Sequence, residues 1–390
     1  MTWNKCTIGD LCDSVSITYR GNAKKVVLIN TSDVFDGKIL NHDFVANEGL
    51  KGQFKKTFAE NDILYSEIRP ANRRFAFVDF CGTKNYIAST KLMVIRPRTD
   101  KVRPRFLYAI LTAQTVIDEL QHLAETRSGT FPQITFNGEV APIPVRLPSF
   151  DAQDAIVSII DSIDGKIDEN RKINHNLLQQ AKAIFAKRFI DLESIPNGWK
   201  QGNLLDIANY LNGLAMQKYR PNRDESGLPV LKIKELRQGF CDGNSELCSP
   251  NIKPEYVIHD GDVIFSWSGS LLVDIWCGGV CGLNQHLFKV TSQTYDKWFY
   301  YLWTAHHLER FIAIAADKAT TMGHIKREEL AKAEVLIPSN DNYEEISALM
   351  TPIFNLIIEN RIESRKLEKL RDELLPKLLS GEIDVSEVAV

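Results

Sequence analysis

The chain lacks any long uninterrupted apolar segment. Its 390 residues are 44% hydrophobic and 25% charged, and charges break each apolar run well before the roughly 18 residues that a membrane helix needs. The first residues also form no apolar stretch of the kind found in secretory signals. We therefore expect a globular protein of the cytoplasm without a membrane partner, built from two or three units that each bury a core.

Cysteine pairs at metal-binding spacing are missing as well. The seven cysteines, an odd number, include no CxxC pair, and no histidines follow them at zinc-finger spacing. The closest two, Cys277 and Cys281, lie in a glycine-rich stretch that is typical of a packed strand. We expect reduced thiols with neither a metal nor a redox role.

The motifs of nucleic-acid enzymes are absent too. The sequence has no Asn/Asp-Pro-Pro-aromatic tetrapeptide for base methylation, no GxxxxGK[ST] phosphate loop, no HExxH and no GxSxG. Nor does it have a compelling carboxylate cluster followed by Glu-x-Lys for metal-dependent cleavage. We expect no catalytic residue and no bound cofactor, and hence a recognition subunit whose chemistry lies in other chains.

The net charge of −3 is small but unevenly distributed. Residues 1–148 hold 20 Lys and Arg against 15 Asp and Glu, whereas residues 339–390 hold 6 against 11. One cluster of cations in the first segment consists of Arg96, Arg98, Lys101, Arg103 and Arg105. With only Asp100 to offset it, this cluster predicts a phosphate-binding surface, and a solvated basic loop is the alternative.

The sequence repeats itself. Glu169-Asn170-Arg171 recurs 190 positions later as Glu359-Asn360-Arg361. Other pairs recur at shifts of 190 to 200: Trp3 with Trp199, residues 61–64 with 261–264, Ile134 with Ile325, and Leu147-Pro148 with Ile337-Pro338. The changing shift indicates insertions in loops, so two copies of one design fill the chain.

The repeat divides the chain into four segments. Globular segments cover residues 1–148 and 196–338, and helical segments cover residues 149–195 and 339–390. Short apolar runs between turn residues predict strands at 26–29, 92–95, 263–265 and 287–290, and the apolar spacing predicts helices over 106–125 and 298–316. Each globular segment is therefore expected to be a mixed α+β module.

The helical segments carry matching apolar seams. After Asp151, a candidate N-cap, the seam residues are Ile156, Ile160, Ile163 and Ile167, and then Ile346, Met350, Ile353 and Ile357. Each seam needs a partner, and the other copy is the economical one, as in a coiled coil. Antiparallel pairing would relate the globular segments by a pseudo-twofold axis. Residues 166–192 as one helix would span roughly 40 Å.

The repeated Glu-Asn-Arg triplets lie at this seam. Asn170 and Asn360 are expected to fix the register of the pair, although a solvent-facing position at the edge of the seam is equally compatible with the pattern. Their neighbours Glu169, Arg171, Glu359 and Arg361 are candidates for the same role or for subunit docking.

Two matched loops offer groups that suit phosphate contact. Glycine permits close approach of the backbone and hydroxyls can bond to phosphate oxygens. The candidates are Arg127, Ser128, Gly129 and Thr130 in the first copy, and Lys318, Thr320, Thr321, Gly323 and His324 in the second. Equivalent loops in both copies favour a binding role.

Further candidates lie outside these loops. Ser266, Trp267 and Ser268 follow a predicted strand and are suited to phosphate or base-edge contact, with a tight turn around a packed tryptophan as the alternative. The remaining candidates are Arg69, Arg73, Tyr219, Arg220 and Gln285. Gln can pair with adenine and Arg with guanine, but ordinary hydrogen bonding also explains these residues. The histidines, which are lone or adjacent, predict no catalytic role.

Several motifs resemble those of one family, the specificity subunits of type I restriction-modification systems. They are residues 89–97 (STKLMVIRP), 283–288 (LNQHLF) and 320–325 (TTMGHI), the duplicated Glu-Asn-Arg helices, and above all residues 370–383 (LRDELLPKLLSGEI). The resemblance covers nearly the whole chain.

The resemblance implies a role in DNA recognition. Each globular segment would be a target-recognition domain that reads one half of a split double-stranded DNA site. The helical segments would set the spacing and dock two methyltransferase subunits, and motor-nuclease subunits would join for cleavage. S-adenosylmethionine and ATP would then bind to the partner subunits and not to this chain.

Two other functions stay open at this point. One is a non-catalytic protein-protein scaffold with duplicated modules, and the other is an enzyme with an unrecognised active site. Residues 196–338 hold 15 Lys and Arg against 16 Asp and Glu, which argues against strong DNA binding by the second globular segment alone. Partner subunits would then supply most phosphate contacts.

Overall fold

The computed structural model describes residues 3–49, 52–127, 131–317 and 325–386. Contacts divide the chain into two compact units: unit 1 is Met1–Gly165 with Glu368–Val390, and unit 2 is Lys166–Leu367. Both boundaries fall inside long helices and not in loops. Unit 1 is therefore assembled from two stretches that are far apart in sequence, whereas unit 2 is one continuous stretch.

Unit 1 is built mainly from short strands. Its elements are β1 (Asn4–Thr7), α1 (Ile8–Leu11), β2 (Cys12–Val15), β3 (Lys25–Ile29), β4 (Val34–Phe35), β5 (Lys38–Ile39), β6 (Phe44–Ala46), β7 (Phe54–Lys56), β8 (Ile63–Ser66), β9 (Phe75–Phe77), β10 (Tyr86–Ser89), β11 (Leu92–Pro97), α2 (Pro104–Thr112), α3 (Gln114–Arg127), β12 (Pro144–Leu147) and the first part of α4 (Phe150–Phe185). The strands form sheets in the orders β6-β3-β10-β7, β2-β11-β8-β9, β1-β12 and β4-β5.

Unit 2 follows the same plan. Its elements are the rest of α4, β13 (Lys200–Asn203), α5 (Leu204–Ile207), β14 (Asn209–Asn212), β15 (Leu228–Leu231), α6 (Ile233–Gln238), β16 (Leu247–Cys248), β17 (Val257–Ile258), β18 (Val263–Ser266), β19 (Leu272–Ile275), β20 (Cys281–Leu283), β21 (Leu287–Thr291), α7 (Lys297–His306), α8 (Leu308–Asp317), α9 (Arg327–Ala331), β22 (Glu334–Ile337) and the first part of α10 (Asn340–Ser380). The last part of α10, from Glu368, belongs to unit 1. Its sheets have the orders β16-β15-β20-β17, β14-β21-β18-β19 and β13-β22.

Each sheet of unit 2 has a counterpart in unit 1, which has the β4-β5 pair in addition. In each unit a mixed four-stranded sheet contains one parallel pair, β3 with β10 or β15 with β20. An antiparallel four-stranded sheet and a two-stranded ribbon complete the set. The internal repeat predicted from the sequence is therefore confirmed by shared strand order, and the four predicted strands lie within β3, β11, β18 and β21.

The turn before the central antiparallel strand is built in the same way in both units. Asn61 and Gly261 adopt positive φ angles of 68° and 86°, a conformation that glycine and asparagine tolerate best. The next residue, Asp62 or Asp262, accepts a hydrogen bond from the amide three positions earlier, at 2.7 Å and 2.9 Å. Lys289 pairs with Asp262 at 2.8 Å, so the turn carboxylate also ties the neighbouring strand in place.

The predicted cation cluster of unit 1 is used internally. Each of its members binds an oxygen of the same unit: Arg96 binds Asp62, Arg98 binds Asp13, Lys101 binds the Asp10 carbonyl, Arg103 binds Asp154 and Arg105 binds Asp161. The first of these pairs has a carboxylate that is only 1% exposed. These five cations therefore have carboxylate or carbonyl partners within the unit, and phosphate binding by the cluster stays a prediction.

Two predicted helices are interrupted. The helix expected over 106–125 is α2 and α3, separated at Ala113, which has an extended ψ of 135°. The helix expected over 298–316 is α7 and α8, separated at His307. After each break the second helix also buries apolar side chains, among them Ile117 and Phe311. The periodicity of apolar residues does not show where one helix ends and the next begins.

The long helices lie within the predicted helical segments, residues 149–195 and 339–390. Helix α4 has 36 residues and begins at Phe150, so that Asp151 lies in its first turn and does not cap it. A five-residue π turn, Ala186–Ile190, follows, whereas α10 runs unbroken for 41 residues. Among the described residues, no helix is long and apolar enough to cross a membrane.

The seam asparagines are buried within unit 2. Asn170 is 0% exposed and donates to the Glu363 carboxylate at 2.7 Å. Asn174 donates to the Ile357 carbonyl at 3.1 Å, and Asn360 donates to Asn174 at 2.9 Å. The solvent-facing alternative for Asn170 and Asn360 is therefore wrong. Within unit 2 these parts of α4 and α10 run antiparallel, because a later residue of α4 contacts an earlier residue of α10.

The charged neighbours of these asparagines have different surroundings. Glu169 and Arg171 form local pairs on α4 with Lys166 and Asp168, both at 3.5 Å. Glu359 is exposed. Arg361 instead contacts β19 through the Asp274 carboxylate and the Ile275 carbonyl, both at 2.8 Å. In unit 1, Arg371 of α10 donates to the Asp164 carboxylate of α4 at 2.9 Å.

Loss of the turn carboxylate should destabilise unit 1. In Asp62→Ala the guanidinium of Arg96 and the turn amide lose their acceptor, and we expect a loss of about 2 to 3 kcal/mol in the free energy of unfolding. The measurement is urea unfolding followed by hydrogen exchange at amides of β8 and β11. The matched control is Asp13→Ala, which removes the exposed partner of Arg98 and should have a much smaller effect. Equal effects of both substitutions would contradict the structural role of Asp62.

Candidate nucleic-acid interface

The two predicted contact loops end at equivalent places. In unit 1, the amide of Ile134 donates to the carbonyl of Glu67, the residue after β8, at 2.9 Å. In unit 2, the amide of Ile325 donates to the carbonyl of Trp267, the residue after β18, at 3.0 Å. In each unit the end of the loop therefore lies at the end of the equivalent central strand, β8 in unit 1 and β18 in unit 2.

In unit 1 this place carries a small charged network. Lys91, which precedes β11, lies 3.7 Å from the Glu67 carboxylate and donates to Gln133 at 3.3 Å. Its side chain is 47% exposed. Lys56 approaches Glu67 at 3.9 Å from the other side, and burial lowers its pKa while the Glu67 carboxylate opposes the shift. Lys91 is thus the cation of this network that is open to solvent.

Arg69 and Arg73 flank a short turn beside this network. Both adopt positive φ angles, 46° and 52°, which are unusual outside glycine. The Arg69 amide donates to the carbonyl of Pro132, which precedes Gln133. Arg73 is committed to the Asp36 carboxylate at 2.8 Å. The Arg69 guanidinium is exposed and makes no ion pair within the described part of the chain.

Arg127 stands at the start of the loop of unit 1. It binds the Glu139 carboxylate at 3.0 Å, and its side chain is 55% exposed. Glu139 also accepts from Thr135, so both ends of the loop meet at one carboxylate. The other three candidates of this loop, Ser128, Gly129 and Thr130, lie outside the described residues.

In unit 2 the hydroxyls after β18 hold a turn. Ser266 is 0% exposed and donates to the carbonyls of Ser268 and Ser270. Trp267 is half-buried and donates from its indole nitrogen to the Asn212 side chain at 2.9 Å. The tight turn around a packed tryptophan, weighed as an alternative, describes the local structure of Ser266 and Trp267.

Gln285 and His286 lie beside that turn. The Oγ of Ser268 is 2.9 Å from Nδ1 of His286, and Nε2 of Gln285 is 3.2 Å from Nε2 of the same ring. His286 precedes β21 as Lys91 precedes β11, because Leu287 and Leu92 occupy the same register opposite the central strand. Matched positions therefore carry an imidazole in unit 2 and an ammonium group in unit 1.

The remaining candidates of unit 2 are placed differently. Lys318, Thr320, Thr321, Gly323 and His324 lie outside the described residues. Tyr219 and Arg220 lie beside β16: the Tyr219 carbonyl accepts from the Ser249 amide, and Arg220 pairs with Glu246 at 3.2 Å. Lys232 and then Arg220 lower the pKa of the Glu246 carboxyl. These two residues therefore belong to the mixed sheet and not to the turn after β18.

Sequence reasoning missed three members of this site. Lys91, Gln133 and Asn212 were not among the candidates, and His286 was considered only as a catalytic residue. A signal was available for Lys91, because it lies in the STKLMVIRP motif directly before a predicted strand. Asn212 has no such signal, since its contact with Trp267 joins residues 55 positions apart.

The arrangement suits recognition by charge and hydrogen bonds. Lys91, Arg69 and Arg127 can approach phosphate, and Gln285 and His286 can donate or accept at base edges. Among the described residues, no group of His, Cys, Asp or Glu side chains is arranged to hold a metal ion.

Comparison with known proteins is consistent with the duplicated architecture. The family described as type I restriction modification DNA specificity domain matches this chain twice, over residues 1–179 and 196–370. The chain is similar to the type I restriction enzyme HindI specificity subunit of Haemophilus influenzae, with 26% identity over 98% of this chain and 99% of the relative.

Two further proteins are similar over large parts of their length. The MjaIX specificity subunit of Methanocaldococcus jannaschii is 25% identical, covering 74% of this chain and 71% of the relative. The crystal structure of a type I restriction-modification system S subunit from M. genitalium has a TM-score of 0.51 at 16% identity, covering 97% of this chain and 96% of that one. With the family matched twice across most of its length, the chain belongs to the type I restriction-modification DNA specificity family.

Proposed function

We propose that this chain reads a split, asymmetric site on double-stranded DNA, one half with each unit. The observation that carries the proposal is the matched anchoring of the two loops, Ile134 on Glu67 and Ile325 on Trp267. Equivalent anchoring with different side chains, Lys91 against His286, suits two half-sites of different sequence.

The proposed division of labour follows four segments. Residues 1–148 and 196–338 are the target-recognition domains, and residues 149–195 and 339–390 are the helical spacers. We propose that α4 and α10 pair as an antiparallel coiled coil with pseudo-twofold symmetry. Two contacts within unit 2 support this pairing: Asn170 contacts Glu363, and the later residue Arg188 contacts the earlier residue Glu345, as expected for antiparallel segments.

The proposed DNA contacts follow the two sites. We assign a role in DNA contact, either direct or through the shape of a loop, to Lys91 together with the residues chosen from the sequence: Arg69, Arg73, Arg127, Ser128, Gly129, Thr130, Tyr219, Arg220, Ser266, Trp267, Ser268, Gln285, Lys318, Thr320, Thr321, Gly323 and His324. Arg69 is the strongest of these on structural grounds, since its guanidinium is exposed and makes no ion pair among the described residues. Ser266 would act by shaping the turn, because its hydroxyl is buried.

The chemistry is assigned to other subunits. In this proposal two methyltransferase subunits dock on the helical spacers, where Glu169, Arg171 and Glu359 are exposed, and motor-nuclease subunits join for cleavage. S-adenosylmethionine and ATP bind to those partners in the cytoplasm, and this chain is not catalytic. The near-neutral second recognition domain fits an arrangement in which the partners supply much of the phosphate contact.

Exchange of one recognition domain should change one half of the site. Replacing residues 1–148 by the corresponding segment of another family member should alter one half-site and leave the other unchanged, because each unit has its own core and loops. The measurement is sequencing of methylated adenines in cells that express the partner subunits. Exchange of residues 196–338 is the matched control and should alter the opposite half. A methylated site that is unchanged or wholly lost after both exchanges would favour the scaffold alternative.

Removal of an unpaired cation should weaken DNA binding through salt-dependent contacts. In the complex with methyltransferase subunits, Arg69→Ala should lower the slope of log affinity against log salt by about 0.9, the value for one phosphate contact. The measurement is fluorescence anisotropy with a labelled duplex at several salt concentrations.

The control for this prediction is another exposed arginine of the same unit. Arg98 binds Asp13, so Arg98→Ala should leave the salt slope unchanged. An equal fall in slope for both variants would show that the effect comes from net charge and not from a contact at Arg69.

A further inference from the structure

Unit 1 contains an open apolar pocket of about 720 Å³, a size typical of ligand sites. Ile110 and Val116 from the α2–α3 region form part of its wall, together with Val145 of β12 and Leu379 of α10. Three cations, Lys5, Arg146 and Lys377, also line it. Glu382 is the acidic residue among the described lining.

Two of these cations face each other without a counterion. Lys5 and Arg146 are directly opposite in the β1–β12 ribbon, an arrangement in which like charges repel and destabilise the pair. Both side chains are exposed, as is Lys377, and no ion pair joins any of the three within the described part of the chain. The ribbon thus keeps an unfavourable charge pair at the edge of an apolar cavity.

Unit 2 shows that the fold does not require this arrangement. The ribbon positions that match Lys5 and Arg146 are Gln201 and Leu336, which face each other in the same register without charge. The cations are therefore a property of unit 1 and not of the strand pairing.

We propose that the pocket of unit 1 binds an acidic peptide segment of a partner protein, with an apolar side chain of that segment as its anchor. The anchor fills the cavity beside Ile110 and Leu379, and flanking carboxylates neutralise Lys5, Arg146 and Lys377. This interaction goes beyond the proposed reading of DNA, and it is asymmetric: one segment binds per chain, because the matching ribbon positions of unit 2, Gln201 and Leu336, carry no charge.

The apolar cavity decides between a peptide and a nucleic acid. A DNA backbone would use the three cations but would leave an apolar pocket unfilled at the interface. An acidic peptide with a large apolar residue satisfies both features, since buried apolar anchors supply most of the binding energy in such contacts and charges supply steering.

The test uses the full chain and a defined probe. The probe is a fluorescein-labelled peptide in which two acidic residues on each side flank Leu-Phe, and a second peptide has Ser-Ser in place of Leu-Phe. We expect one probe to bind per chain by fluorescence anisotropy, and the Ser-Ser peptide to bind at least tenfold more weakly. The double variant Lys5→Gln, Arg146→Leu copies the ribbon of unit 2 and should lower probe affinity at least tenfold. Leu379→Phe, which enlarges one side chain of the pocket lining, should do the same by filling the pocket.

Controls separate this site from general charge and from misfolding. Lys200→Gln removes an exposed cation from β13 of unit 2 and should leave probe affinity unchanged, and circular dichroism melting should show that each variant is folded. The proposal is overturned by equal binding of the two peptides, by insensitivity to Leu379→Phe, or by no binding up to about 1 mM. It is equally overturned if duplex DNA displaces the probe and loses affinity in the double variant, because the site would then be a phosphate site.

Discussion

The two long helices are needed to close the core of each unit, and the rest of the structure depends on that constraint. In unit 1, Ile156 and Ile160 of α4 share one apolar core with Leu375 and Leu378 of α10. In unit 2, a later part of α4 and an earlier part of α10 contribute to the aromatic core in the same way. Full burial of each such side chain is worth about 1.5 to 3 kcal/mol. Neither unit therefore has a complete core without both helices, although the helices are almost 200 residues apart in sequence.

Buried asparagines add specificity to this apolar packing. Within unit 2, Asn170 and Asn174 of α4 donate hydrogen bonds to α10, and Asn360 of α10 donates one to α4. The Oδ1 atom of Asn170 has no partner among the described residues. A buried amide that is not fully bonded lowers stability compared with an apolar residue. Its value lies in register, because a shift of one helix by a single turn would leave these amides facing apolar side chains.

Duplication gives the protein two copies of one fold with different surfaces. The turn at Asp62 or Asp262 is kept, because the fold needs its hydrogen bonds. Positions that the fold does not need have diverged: Lys91 corresponds to His286, and the charged ribbon pair of unit 1 is neutral in unit 2. The contrast between copies separates residues that hold the fold from residues that are free to meet a partner.

The sequence by itself determined the duplication, four of the strands and the apolar seams of the long helices, because these depend on residues that are neighbours or periodic along the chain. It also supplied the STKLMVIRP motif that places Lys91. It did not determine the helix breaks at Ala113 and His307 or the packing of Ser266 in a turn. Tertiary structure also determined the partners of the cation cluster: Arg105 binds Asp161, which lies 56 positions away in sequence. Which distant charges neutralise each other, and which apolar positions stay open, depends on contacts that no local pattern encodes.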